Sequence, residues 1–320
     1  MPKGALTRVK ERLRGWRRRL RGVPPKPDWV QVEINNTCNL DCIMCPREAM
    51  TRPNRHMTQQ EFQEIADKVK RAEVRRIRLF LLGEPLLHRE LIPMIRYCKQ
   101  IGIPSVEINT NAVLLDEAAS EQLINAGLGE LVISMDGANA ETYEAVRRGA
   151  VYEEVVANVR NFFQIRAELG KQRPRGVIQT MLMEPTRQQI AQFVELWQPV
   201  ADELRIQSVR EYGGLEGLSY TKRTADDELR PCPALWSYLV ILSDLTVVPC
   251  CTDINGELAL GKITEADITD FWLHNERLNS LRRRHCALAF DGLPLCQDCE
   301  MISLDLMKRK AAAASAYARP

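Results

Sequence analysis

Cys38, Cys42 and Cys45 stand at C-x3-C-x2-C spacing within the short stretch from Asn35 to Pro46. Three thiolates on one tight loop can hold three corners of a cubane iron–sulfur cluster. The fourth iron then has no protein ligand and stays open to a substrate or cofactor. A structural zinc site takes four protein ligands, and no fourth thiol or histidine lies at suitable spacing nearby. A second set, Cys232, Cys250, Cys296 and Cys299, reads C-x17-C…C-x2-C. Four thiolates brought together from a hairpin and a distant loop suit a completely ligated cluster or a four-cysteine zinc site. Cys251 and Cys286 are left over. Each is either inert or a reactive thiol. Cys98 falls on a helix stripe and reads as core. His56, His88, His274 and His285 form no metal-spaced pair, so surface or satisfied roles are expected for all four.

The elements around the cysteines follow from periodicity. Val30 to Ile34 alternates apolar and polar, which predicts a strand, so the first cysteine loop leaves that strand's C-terminal end. Thr58 with Glu61 forms a capping box, and Phe62, Ile65, Ala66 and Val69 stripe the helix it opens. Strands are expected over Ile77–Leu82, Val106–Thr110, Leu131–Met135, Val177–Met183 and Leu204–Val209, alternating with helices. Six such units argue an α/β fold with a parallel sheet, wound by right-handed crossovers into a partial (β/α)6 barrel. Active groups then belong at the C-terminal ends of the strands. Tyr238–Leu242 and Thr246–Pro249 flank Ser243-Asp244-Leu245 and read as a hairpin.

C-x3-C-x2-C after a first strand resembles the radical S-adenosylmethionine (SAM) enzymes. The resemblance implies that a [4Fe–4S] cluster binds SAM and cleaves it reductively to a 5′-deoxyadenosyl radical. Leu82-Gly83-Glu84-Pro85 resembles that family's Gly-Gly-Glu-Pro motif, with Leu82 in place of the first glycine. It implies SAM contacts from Gly83 and Glu84. Asn109 and Asn111, at the third strand's end, take the position that contacts the ribose. Ser134-Met135-Asp136-Gly137 resembles the family's Ser-x-Asp-Gly, placing Ser134 and Asp136 at SAM, with Arg147 pairing its carboxylate. Met181 to Met183 suit either an adenine wall or the core. The second cysteine set, with Gly261, Phe271-Trp272 and Leu281-Arg282, resembles the SPASM/twitch extension of these enzymes. Its spacing is similar to that of the 2-deoxy-scyllo-inosamine dehydrogenases, which implies one auxiliary [4Fe–4S] cluster. A flavodoxin or ferredoxin-type electron donor is implied as well.

The organisation expected is a basic helix and linker over 1–28, a core barrel over 29–212 and a linker over 213–231. The auxiliary-cluster module follows over 232–305, and a frayed tail over 306–320. Net charge is +2. Residues 1–28 hold ten Lys/Arg against two Asp/Glu, a local +8, which leaves −6 on the rest and gives no general nucleic-acid surface. Leu6, Val9, Leu13, Trp16 and Leu20 stripe a basic amphipathic segment over 5–22. It suits an anionic membrane surface, an acidic partner, or plain packing on the barrel. No transmembrane run or signal region is present, so a cytoplasmic enzyme is expected. Ten cysteines in such a chain point to metal or redox chemistry. Arg210 and Glu211 close the last barrel strand, where an anionic or hydroxylated small-molecule substrate would lie. Oxidation of a hydroxylated carbon is the first reading. Epimerisation with Cys251 or Cys286 as hydrogen donor, maturation of a ribosomally made peptide, and a non-enzymatic zinc protein are the alternatives.

Overall fold

Val30, Val32 and Ile34 are fully buried, as their alternation requires, and strand β1 spans Trp29–Val32. The computed structural model describes residues 22–208, 224, 226–297 and 299–317. Strands β2 (Arg76–Arg78), β3 (Ser105–Thr110), β4 (Glu130–Ser134), β5 (Arg175–Leu182) and β6 (Glu203–Ser208) follow. Each pairs in parallel with the one before it. Helices α1 (Gln59–Arg71), α2 (Leu91–Gln100), α3 (Glu117–Asn125), α4 (Ala140–Val146), α5 (Tyr152–Glu168) and α6 (Ile190–Trp197) fill the crossovers. Among the described residues the six expected strands are therefore present, with a helix in each of the five crossovers between them. The second strand is shorter than the apolar run Ile77–Leu82 suggests.

The C-terminal hairpin, β7 (Tyr238–Ile241) with β8 (Thr246–Val248), is antiparallel as expected. Its placement was not legible beforehand. β7 pairs in parallel with β1, Trp29 opposite Tyr238, so the sheet runs β9–β8–β7–β1–β2–β3–β4–β5–β6, with β9 at Gly261–Lys262. Helix α7 (Glu276–Cys286) packs over this extension, and α8 (Leu304–Tyr317) closes the described chain. The tail was expected to fray. It is helical through Tyr317 instead, because its alanine run carries the highest intrinsic helix propensity.

The sheet's two faces differ. Alternate residues Val30, Ile77, Val106, Leu131 and Ile178 join Phe62, Ile65, Met94, Phe162 and Trp197 in one apolar core under the helices. Burying each such side chain contributes about 1.5–3 kcal/mol. The capping box at Thr58 and Glu61 forms and fixes where α1 begins. The face away from the helices carries charged pairs beside a second apolar cluster of Tyr238, Val240, Leu242 and Val248. Arg76 and Arg78 both pair with Glu107 at 2.8 Å. Arg175 pairs with Glu203 at 2.5 Å and Arg205 with Glu130 at 3.3 Å. A closed eight-stranded barrel fills its interior with branched apolar side chains. This face carries charged pairs as well.

Candidate active site

The loop after β1 is held from both sides. Asp41 and Cys42 pair antiparallel with Arg148 and Arg147, and the Ile43 N–H donates to the Val146 carbonyl at 3.0 Å. The Cys45 N–H donates to the Cys42 carbonyl at 3.0 Å, which curls the loop so that its thiols face one space. Burial raises all three thiols, that of Cys42 to about 11. Cys42 also feels the Cys45 and Cys38 thiols, and Cys45 feels that of Cys38. Half-buried thiols that raise one another's pKa are poised for a cationic group, whose charge reverses that penalty by binding thiolates.

Gly83 comes against the backbone just before this loop. A Cβ there would overlap the Asn35 carbonyl, so only glycine lets the two segments approach. Glu84 is buried, and burial raises its pKa. Its carboxylate accepts from the Leu86 N–H (3.0 Å), the Asn111 N–H (2.8 Å) and the Thr110 hydroxyl (2.7 Å). The Asn35 amide donates to the Glu84 carbonyl at 3.0 Å. Glu84 thereby fixes Asn111, whose amide donates to Asn39 Oδ1 at 2.9 Å and reaches Cys38 Sγ at 3.8 Å. At the neighbouring strand ends the Ser134 hydroxyl donates to Asn109 Oδ1 at 2.9 Å.

Arg147 and Asp136 form a buried pair. Arg147 Nε and Nη2 both reach Asp136 Oδ2, at 2.8 and 2.5 Å, while Nη1 lies 3.9 Å from Cys42 Sγ. Burial opposes the guanidinium charge, but the Asp136 carboxylate together with the Cys42 and Tyr143 groups more than offsets it and the pKa rises. The Met181 N–H also donates to Asp136, at 2.5 Å. Removing one partner of a buried pair strands the other charge, at a cost of about 3–5 kcal/mol. Arg147→Met should therefore lower unfolding free energy by that amount in denaturant titration, and a loss under about 1 kcal/mol would show the pair to be well solvated. Ile43, Met44 and Met181 pack on the buried Val146 and Met183, giving an apolar wall beside the loop.

The second set gathers at the opposite end of β1 and β7. Cys232 precedes β7, and Cys250 follows the antiparallel β8 back to the same end. Cys296 lies on the single turn Pro294–Gln297, and the Cys299 N–H donates to the Cys296 carbonyl at 3.1 Å. Burial pushes the Cys232 thiol well up, and the Cys299, Cys250 and Cys296 thiols push it further. Burial likewise pushes Cys250 to about 12 and Cys296 to about 11. The Cys299, Cys250 and Cys296 thiols thus lie near enough to act on Cys232. Among the described residues no three His, Cys, Asp or Glu side chains close on a point small enough for a single ion. Four thiolates can hold a cubane cluster completely, each binding a different iron.

Cys98 is buried in the core as expected. Cys251 accepts the Tyr238 O–H at 3.4 Å, and the Tyr238 ring stacks on Trp29 at 4.7 Å on the face of the sheet away from the helices. Arg78 lies over the other side of Trp29, 4.4 Å from its ring centre. Cys286 is exposed, beside Trp236 and Val23 on the outer flank of α7, and the structure does not bring it to Cys251. Arg210 and Glu211 lie outside the described residues, as does the basic segment up to Arg21. His56 and His88 stack at 5.2 Å, and both are hydrogen-bonded, to Thr37 and to the Met57 carbonyl. Sequence reasoning missed Asn35, Thr110 and Tyr238. Thr110 sat inside the Asn109–Asn111 motif, but nothing local marks it as a ligand of Glu84.

Family models match this arrangement. Residues 32–196 match the radical SAM superfamily, just over half of the chain. The chain belongs to the radical SAM superfamily. Residues 232–300 match the SPASM iron–sulfur cluster-binding domain. This radical SAM enzyme therefore uses SAM and [4Fe–4S] clusters. It is similar to the probable GTP 3′,8-cyclase of Methanocaldococcus jannaschii, 31% identical over 42% of this chain and 45% of that protein. The GTP 3′,8-cyclase of Peptoclostridium acidaminophilum is 30% identical over 44% of each chain. The chain thus spans under half the length of these relatives. Among solved structures, BtrN in complex with AdoMet and 2-DOIA superposes with a TM-score of 0.59 at 20% identity, covering 85% of this chain and 92% of BtrN. Streptococcus suis SuiB bound to its precursor peptide SuiA superposes with a TM-score of 0.69 at 16% identity, covering 95% and 77%. These likenesses establish the radical SAM fold. No helix of the described residues is long and apolar enough to cross a membrane.

Proposed function

We propose that this radical SAM enzyme oxidises a hydroxylated carbon of a small molecule held in the barrel lumen. Cys38, Cys42 and Cys45 hold the cluster that binds SAM, and Cys232, Cys250, Cys296 and Cys299 hold an auxiliary [4Fe–4S] cluster. The observation that carries this reading is the placement of the two thiol sets at opposite ends of the β1–β7 pair, with a charged, hydrogen-bonding face between them. When bound, the two groups supply reductive cleavage of SAM to a hydrogen-abstracting 5′-deoxyadenosyl radical and an acceptor for the electron the substrate gives up.

The chain's own residues do the rest. Asn109 and Ser134 meet at the strand ends where ribose hydroxyls bond. Arg147, oriented by Asp136, turns Nη1 toward the Cys42 side, where it would pair with the carboxylate of SAM. Ile43, Met44 and Met181 wall the adenine and exclude water. Arg78 and Glu107 offer a donor and an acceptor to hydroxyl groups. From the sequence alone, Arg210 and Glu211 are proposed to grip a hydroxyl and to take a proton. A flavodoxin or ferredoxin-type protein delivers the reducing electron.

Anaerobic reconstitution tests this. About eight irons per chain should bind, and 5′-deoxyadenosine formation should rise with hydroxylated cyclitols or sugars. About four irons, or zinc in their place, would remove the auxiliary assignment. One observation favours a second reading, epimerisation: the Cys251 thiol lies against Tyr238 on the lumen face, where it can return a hydrogen atom.

A further inference from the structure

His285 lies on the inner face of α7 and is 1% exposed. Its Nδ1 accepts the backbone N–H of Cys232 at 3.1 Å. A ring nitrogen that accepts a hydrogen bond carries no proton, so in the neutral ring the proton sits on Nε2. That Nε2–H is buried and has no hydrogen-bond partner among the described residues. Its ring meets Phe290 edge-on at 5.0 Å, in the same small cluster that packs Cys232, Cys250 and Cys296. A buried donor without an acceptor costs about 1–3 kcal/mol. Such a donor calls for an acceptor that the described residues do not supply. One turn earlier on the same face, the Arg282 guanidinium grips the Leu235 carbonyl at 2.9 Å, which holds the Cys232–Trp236 segment against α7.

We propose that His285 donates its Nε2–H to a sulfur of the auxiliary cluster and so sets that cluster's reduction potential. The inference rests on the assignment of the second cysteine set made above. His285 is not a ligand in this geometry, because the nitrogen facing away from Cys232 carries the proton. It is a positioning residue with two hydrogen bonds, one to the backbone of Cys232 and one to the cluster. A hydrogen bond to a cluster sulfur stabilises the more negative, reduced state and raises the potential.

The test uses the full chain carrying Cys38→Ala, Cys42→Ala and Cys45→Ala, so that only the auxiliary cluster reports. Adding His285→Phe keeps the ring's volume and removes the donor. Iron should stay at about four per chain, and the midpoint in an EPR-monitored redox titration should move to lower potential. The exchangeable-proton coupling of the reduced cluster, seen with His285 after deuterium exchange, should vanish. Unchanged midpoint and coupling at full iron content would overturn the proposal. If the phenylalanine variant loses its iron, labelling histidine with 15N in the His285 protein decides. A 15N coupling to the reduced cluster supports the bond, and its absence overturns it. Failure of the parent triple variant to bind iron would instead overturn the assignment of Cys232, Cys250, Cys296 and Cys299.

Discussion

Cys38→Ala, Cys42→Ala and Cys45→Ala should each take 5′-deoxyadenosine formation from SAM to background. Each thiolate has its own corner of the cluster to hold, and no other described thiol adjoins the loop to replace it. The losses should come without unfolding. All three side chains are only partly buried, and the loop's shape is set by backbone bonds to Val146 and Arg147 that alanine leaves intact. Cys98→Ala is the control. Its thiol is buried in the α2 core and burial pushes its pKa to about 12, so it is inert toward metal and oxidant. It should lose some packing energy and keep SAM cleavage. The measurement is chromatographic quantitation of 5′-deoxyadenosine after dithionite reduction of reconstituted protein. Undiminished cleavage in any one variant would remove that cysteine from the cluster.

What could be read beforehand was local. The C-x3-C-x2-C loop, the capping box at Thr58 and the six strands with their crossover helices are each encoded locally, by period and spacing. The β7–β1 pairing joins residues 238 and 29, and alternation within a strand says which face is buried without naming the partner strand. The shortening of β2 has a similar cause. Leu79 to Leu82 are apolar enough for a strand, but the chain there must bend to bring Gly83 onto Asn35. The site shows the same limit. Arg147 was legible as a carboxylate binder, yet its fork already holds Asp136, eleven residues earlier and across α4. His285 carried no spacing signal, because its partner Cys232 lies in another element.

Cys250→Ala should separate the two halves of the chemistry. SAM cleavage depends on the loop at one end of β1, and Cys250 sits at the other, behind the Trp29–Tyr238 stack. At about 3.3 Å per strand residue, Trp29 and Asn35 stand about 20 Å apart. The variant should therefore still form 5′-deoxyadenosine while oxidised product falls to background. After hydrogen abstraction the substrate radical has two fates. It loses a proton and an electron, giving a ketone, or it regains a hydrogen atom on the opposite face, giving an epimer. The first needs an electron acceptor near the substrate, the part proposed for the second cysteine set. The second needs a hydrogen donor: Cys251 lies against Tyr238 at the inner side of the sheet, and Cys286 lies on the outer flank of α7. Turnover in deuterated water distinguishes them. Oxidation leaves no deuterium at the reacting carbon, depends on Cys250, and tolerates Cys251→Ala and Cys286→Ala with less than a tenfold change, about 1.4 kcal/mol. Solvent deuterium in an inverted product, lost with Cys251→Ala alone, would assign epimerisation instead and make the Tyr238–Cys251 hydrogen bond part of the donor.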